Sequence, residues 1–115
     1  MRKCQVLALM LVLLAVAAVA EPYKEKDTSR LLTGKVMDQQ ENVLPNAVVY
    51  LTNTRTHAVK TYIVSQDGLY RFPALSPNID YEVYAQFNGK KSDTKTMSQF
   101  DTRQDVQINL KIDAK

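Results

Sequence analysis

The sequence predicts an all-β protein, about seven strands folded as an antiparallel Greek-key sandwich, and three observations predict it. Between Leu32 and Ile112, apolar residues alternate with polar ones in short runs. This period-two pattern marks strands with one buried face. Asp67-Gly68, Asn88-Gly89 and three prolines separate the runs, as in sandwiches of short strands and tight turns. After residue 20 no stretch has the apolar spacing of a helix.

The first 20 residues have a different character. Met1-Arg2-Lys3 is basic, Val6 to Val19 is almost wholly Leu, Ala, Val and Met, and Ala18-Val19-Ala20 precedes Glu21-Pro22. A basic start, an apolar core and a small-x-small end are the parts of a secretory signal peptide, expected to be a helix removed after Ala20. The alternative is an uncleaved membrane anchor, for which the apolar run falls short of the roughly 20 residues a spanning helix needs unless Cys4 and Gln5 are counted in; with cleavage, no membrane span is expected to remain. Export to the periplasm or outside the cell follows from this reading. Cys4, the single cysteine, lies within this segment. The exported domain would therefore have no disulfide and no thiolate chemistry.

Arg2 and Lys3 belong to the same segment, and the 15 basic and 12 acidic side chains of the whole chain come close to balance without them. Such a domain has no bulk charge to attract nucleic acid. The expected organisation is a signal peptide over 1–20, a polar flexible leader over 21–30, and one sandwich domain over 31–115.

The strands follow in order. Leu32, Gly34 and Val36 alternate with Thr33, Lys35 and Met37 in the first, which ends at Asp38. Pro45 lies in the loop before the second strand, whose Ala47, Val49 and Leu51 alternate with Val48, Tyr50 and Thr52. A third strand spans about 58–64, with apolar groups on both faces. Asp67-Gly68 is read as a tight turn because both residues tolerate positive φ. In the fourth strand Tyr70 and Phe72 share a face, and Pro73 restricts it to an edge or an early end. Asn78 is expected to take a left-handed conformation in the next turn.

Tyr81, Val83, Ala85 and Phe87 define the fifth strand, and Asn88-Gly89 is the strongest hairpin signal in the chain. The Lys- and Thr-rich stretch 90–98 reads as a solvated edge whose lysines oppose aggregation. Val106, Ile108, Leu110 and Ile112 alternate cleanly in the last strand. The expected core is Leu32, Val36, Ala47, Val49, Leu51, Tyr70, Phe72, Leu75, Tyr81, Val83, Ala85, Phe87, Val106, Ile108 and Leu110.

The segments Gly34-Lys-Val-Met-Asp38, Leu44-Pro-Asn-Ala-Val-Val-Tyr-Leu51, Asp67-Gly-Leu-Tyr-Arg-Phe72 and Leu75-Ser-Pro-Asn-Ile-Asp-Tyr-Glu-Val83 resemble, in order and spacing, the carboxypeptidase regulatory-like domain family. The resemblance covers roughly 31–112 and implies a transthyretin-like (prealbumin-like) seven-stranded sandwich, in a free-standing secreted form of bacterial type. Asn46 and Asn78 stand where the family usually has glycine, and asparagine is the side chain best able to replace glycine at positive φ. The resemblance carries no established activity.

Chemistry finds little purchase in these residues. His57 is the only histidine, whereas a zinc site needs three or four ligands. A serine triad would have to combine His57 with Ser65 and Asp67, with no G-x-S-x-G elbow to present the serine. The hydroxyisourate hydrolases of the transthyretin-like group use several histidines and a terminal Tyr-Arg-Gly-Ser, whereas this chain ends Lys111-Ile-Asp-Ala-Lys115. Asp38, Gln39 and Glu41 are too sparse for the six to eight oxygens of calcium. No cofactor and no metal site is expected, and the chain reads as a non-enzyme.

Lys35, Glu82 and Asn109 match, loosely, the Lys–Asn isopeptide bond and catalytic acid of sandwich domains in Gram-positive surface adhesins. All three fall on outward positions, while that reaction needs burial to lower the lysine pKa. Tyr50, Tyr62 and Tyr84 are read as outward aromatics and form the candidate ligand surface. Tyrosine offers a flat apolar ring and a hydroxyl tip suited to sugars or a partner strand. The function expected is recognition, adhesion or structural support by a non-catalytic module, with a protein or polysaccharide partner and carbohydrate binding as the alternative. An isopeptide bond expels one ammonia; the intact mass of the purified protein is expected to show no such loss.

Overall fold

The computed structural model describes residues 28–113, and the expected signal segment and most of the leader lie outside them. Nine strands occur in chain order: β1 (Arg30–Met37), β2 (Val48–Asn53), β3 (Val59–Ile63), β4 (Leu69–Leu75), β5 (Tyr81–Phe87), β6 (Lys90–Lys91), β7 (Lys95–Met97), β8 (Asp105–Gln107) and β9 (Leu110–Lys111). They form two sheets, one ordered β4-β1-β8 with β9 also on β1, the other β3-β2-β5-β6 with β7 also on β5. β6 with β7 and β8 with β9 each occupy one strand position, so the seven predicted strands are all present. No helix occurs among the described residues, and none is long and apolar enough to cross a membrane.

Alternation puts Leu32, Val36, Val49, Leu51, Tyr70, Val83, Ala85 and Leu110 into one core between the sheets. Phe87 and Ile108 only pack against its margin. Five buried large apolar residues lay outside the expected core: Met37, Leu44, Val64, Met97 and Ile112. Leu44 enters because the loop before β2 folds over the sandwich, its N–H donating to the Val36 carbonyl at 3.0 Å. Met97 is the inward position of β7, where one apolar side chain among lysines and threonines is enough to anchor the strand.

Arg30 is also buried, as the first residue of β1 rather than the last of a leader. Its Nε and Nη1 donate to the carbonyls of Arg103 and Ser98 at 3.1 and 2.8 Å, tying down the loop before β8.

The antiparallel expectation fails at one place: β8 and β9 run parallel to β1. The strand is also split. At the break, Gly34 faces the Ile108 carbonyl so closely that a Cβ would overlap its oxygen and lie 2.7 Å from its carbon. The Tyr70 hydroxyl donates to that same carbonyl at 2.5 Å, and the Asn109 side-chain oxygen accepts from the Lys35 N–H at 3.1 Å. A side-chain amide thus replaces the carbonyl that a regular ladder would supply.

The turns divide likewise. Asn88 and Gly89 have φ of 50° and 76° and close the β5–β6 hairpin in the primed geometry that strand twist favours. Asn46 is left-handed at 69°, as expected, whereas Asn78 is not among the positive-φ residues. The turn containing Asn78 is held instead by the Ser76 N–H donating to the Tyr81 hydroxyl at 3.0 Å. Asp67-Gly68 does not close a hairpin; it carries the chain from β3 in one sheet to β4 in the other. β4 continues past Pro73, because it is an edge strand and the register with β1 shifts between Arg30 and Leu32. Ala74 takes φ 59° in that bulge, a conformation costly for any residue with a Cβ.

Three carboxylates at the surface, Asp67 exposed and Asp38 and Asp101 half-buried, organise turns. Asp38 accepts from the N–H groups of Gln40 and Asn42, Asp67 from the Ser65 hydroxyl and the Leu69 N–H, and Asp101 from Arg103. Each is held below the usual 3.8, chiefly by the Asn42 N–H at Asp38, the Ser65 hydroxyl at Asp67 and the Arg103 guanidinium at Asp101.

Two predictions follow from this packing. Gly34→Ala is expected to destabilise by about 3 kcal/mol or more, since backbone blocks the methyl, while Ala74→Gly stabilises by about 0.5–1 kcal/mol through relief at positive φ; denaturant midpoints measure both. A depressed carboxylate pKa stabilises fully above the unfolded value of 3.8 and is lost as pH falls through the folded value. Melting temperature should therefore be level above about pH 5 and fall below about pH 4, less steeply in Asp101→Asn.

Candidate recognition face

Cross-strand register decides which side chains share the outer face of the five-stranded sheet. Tyr50 lies opposite Tyr84 on β5 and Thr61 on β3; Val48 lies opposite Gln86 and Ile63; Thr52 lies opposite Glu82 and Val59. Partners in register point to the same side. Because Val49 and Leu51 are buried, the rows through Val48, Tyr50 and Thr52 face outward.

The two tyrosines form the centre of this face. Their rings stack with centroids 5.0 Å apart and planes 14° from parallel. Lys91, from β6 on the far side of β5, places its Nζ 4.2 Å from the Tyr84 centroid, within cation–π range. Tyr84 therefore has Tyr50 against one ring face and an ammonium over the other. Toward β3, half-buried Tyr50 has Thr61 as its neighbour in register. Beside it runs a groove of about 480 Å³ lined by Pro45, Asn46, Val48, Gln86 and Asn88. Beyond Thr61, the apolar margin of the face is formed by Val59 and Ile63, 55% and 69% exposed.

Tyr62 does not belong to this surface. It pairs in register with buried Val49, so it points inward, where its ring meets Phe72 edge-on at 6.0 Å. Of the three tyrosines read as a ligand surface, two come together and the third packs against the core. Lys91 was legible only as a solvated edge lysine; its place over Tyr84 depends on the tight hairpin at Asn88-Gly89.

The chemistry weighed for other residues is dispersed by the fold. His57 is exposed in the β2–β3 turn at φ 64°. Ser65 follows the opposite end of β3, so the five-residue strand separates them by about 17 Å, and the Ser65 hydroxyl is spent on Asp67 at 2.5 Å. Asp38 is committed to its own turn, and Glu41 pairs with Lys111 at 3.8 Å. Lys35 and Asn109 lie on the outer face of one sheet and Glu82 on the outer face of the other, with the core between. They cannot meet as an isopeptide triad. Among the described residues no group of three His, Cys, Asp or Glu side chains is arranged to hold a metal ion.

Residues 32–113 match the carboxypeptidase regulatory-like domain family. No curated protein sequence matches the chain. Among solved structures, the fold is similar to BcpA, the major pilin subunit of Bacillus cereus, at 13% identity and a TM-score of 0.57, over 76% of this chain and 30% of the pilin. It is similar to S.CueP at 14% identity and a TM-score of 0.55, over 81% of this chain and 69% of that one. A catechol 1,2-dioxygenase from Acinetobacter sp. ADP1 also matches, at 13% identity and a TM-score of 0.55, over 82% of this chain and 54% of the enzyme.

The chain thus spans less than a third of the pilin's length. A pilin and a dioxygenase on one backbone mean that the likeness is one of fold alone. By the family match over nearly all the described residues, the chain belongs to the carboxypeptidase regulatory-like domain family.

Proposed function

We propose that this chain is a non-catalytic module for recognition, adhesion or structural support, exported to the cell envelope or beyond, and that it works through the outer face of the five-stranded sheet. The observation that carries the reading is the stacked Tyr50–Tyr84 pair, held on a solvent-facing sheet between Lys91 and the apolar margin of Val59 and Ile63. Rigid aromatics combine large contact area with few rotors, which is why they anchor recognition surfaces. The signal segment read from the sequence supports export. The distance between His57 and Ser65 supports a role without nucleophilic catalysis.

A protein partner would lie across the ring edges, Lys91 and Ile63 together. A polysaccharide is the second reading, favoured by the groove at Tyr50. There Tyr50 lines the groove together with Asn46, Gln86 and Asn88, whose amides are able both to donate to and accept from sugar hydroxyls. Tyr84, covered on both faces, could not stack on a sugar itself.

The two readings part on substitution. With a polysaccharide, Tyr50→Ala should abolish binding while Tyr84→Phe and Lys91→Ala leave it within about twofold; with a protein partner, Tyr50→Ala and Lys91→Ala should both weaken capture. Either variant should cost no more than about 1 kcal/mol of stability, the size of a cross-strand pair. Binding of the purified protein to a polysaccharide panel, and capture of co-purifying proteins, measure the two. Unchanged binding in Tyr50→Ala would remove this face from both readings.

A further inference from the structure

Four strand edges bound the two sheets, and three carry features that hinder another strand from adding to them. β4 holds Pro73 and the Ala74 bulge. β8 and β9 are three and two residues long, split at Ile108-Asn109. β6 and β7 are equally short, interrupted by buried Ser92, and carry Lys90, Lys91 and Lys95. Bulges, prolines, brevity and lysines are the usual means of blunting an edge. β3 lacks most of them: it pairs with β2 without a register shift from Val59 to Ile63, has no proline, and leaves two large aliphatic side chains in solvent.

Its backbone is also aimed outward in a defined way. The Val64 N–H donates to the Ala47 carbonyl at 2.8 Å, and the Asn53 N–H to the Ala58 carbonyl at 2.9 Å. Even-numbered residues along this strand therefore turn their backbone groups toward β2. By alternation, the N–H and C=O groups of Val59, Thr61 and Ile63 point away from the sheet.

We propose that β3 is a self-association edge, on which a second copy of this chain pairs antiparallel about a two-fold axis through Thr61. In that register Thr61 meets Thr61 of the second copy and Val59 meets its Ile63. These are the residues whose backbone groups face outward, so every such group finds a partner. The exposed aliphatics pair with one another on the outer face. Lys60 meets Tyr62 and no lysine meets a lysine. Centring on Lys60 instead would keep outward backbone groups opposite one another but would set two lysines directly against each other and oppose Val59 to Thr61 rather than to Ile63, so the side chains select the Thr61 axis.

The contact is isologous and closes at two copies, since the remaining edges are blunted. It also joins the row Tyr84–Tyr50–Thr61 to its mirror in the second copy, which doubles the recognition face without a new contact to the partner.

Sedimentation velocity of the purified chain from about 1 µM to about 1 mM is the test, a range that spans the weak affinities expected of a small interface. A concentration-dependent dimer with nothing larger is expected. Thr61→Lys, which sets like charges face to face, should raise the dissociation constant about tenfold or more; Thr61 is exposed, so the melting temperature should not move. Thr61→Cys, in a Cys4→Ser background, should oxidise to a covalent dimer, because residues in a hydrogen-bonded pair lie about 5.5 Å apart, within disulfide reach. A monomer throughout, assembly beyond the dimer, a dimer indifferent to Thr61→Lys, or failure of Thr61→Cys to cross-link would each overturn the proposal.

Discussion

The contact on which the rest of the sandwich depends is the meeting of Gly34, Tyr70 and the Ile108 carbonyl. β1 is the central strand of its sheet, with β4 on one side and the last strand on the other. The last strand arrives parallel and leaves the ladder at Ile108, pushing its carbonyl toward the core side of β1. An inward-pointing carbonyl is tolerable only if something donates to it, and Tyr70, reaching from β4 beneath β1, does so. Glycine at 34 clears the space through which they meet. Three strands are thereby locked by one hydrogen bond and one missing methyl, and burial of the Tyr70 hydroxyl raises its pKa well above the ordinary value. Asn109 then re-enters the ladder by lending its side chain to the Lys35 N–H.

The second sheet is built on different terms. β2 and β5 pair over six residues without interruption, so their inner faces are filled by Val49, Leu51, Val83 and Ala85, while their outer faces remain regular enough for two tyrosines to stack. A bulge or a parallel neighbour would have thrown those rings out of register. The primed turn at Asn88-Gly89 brings Lys91 back over Tyr84, so the aromatic pair and its cation are consequences of backbone regularity. Irregularity is concentrated in the first sheet and at the margins, where it blunts edges and anchors loops.

Local hydrogen bonding carries the connections. Asp38, Asp67 and Asp101 each satisfy neighbouring N–H or guanidinium groups within a few residues, which is the usual reason for aspartate in turns. Their commitment to the backbone is also why acidic residues that looked available as ligands are not. Arg30 works similarly from the opposite charge, its buried guanidinium fastening the long loop that delivers β8 to β1.

Alternation and turn chemistry alone determined the all-β class, the seven strand positions, most of the core and the Asn88-Gly89 hairpin, because each of these depends on neighbours within a few residues. The outward placement of Tyr50 and Tyr84 was legible for the same reason. What only the tertiary structure decided is everything that depends on which strand lies beside which. Register against buried Val49 turned Tyr62 inward. Sheet assignment separated Glu82 from Lys35 and Asn109. The parallel approach of the last strand broke its even alternation at Ile108-Asn109, and Met97 became core because β7 happens to cover the inner face. A period of two names the faces of a strand, but the choice of neighbour is made by long-range packing, and no stretch of sequence contains it.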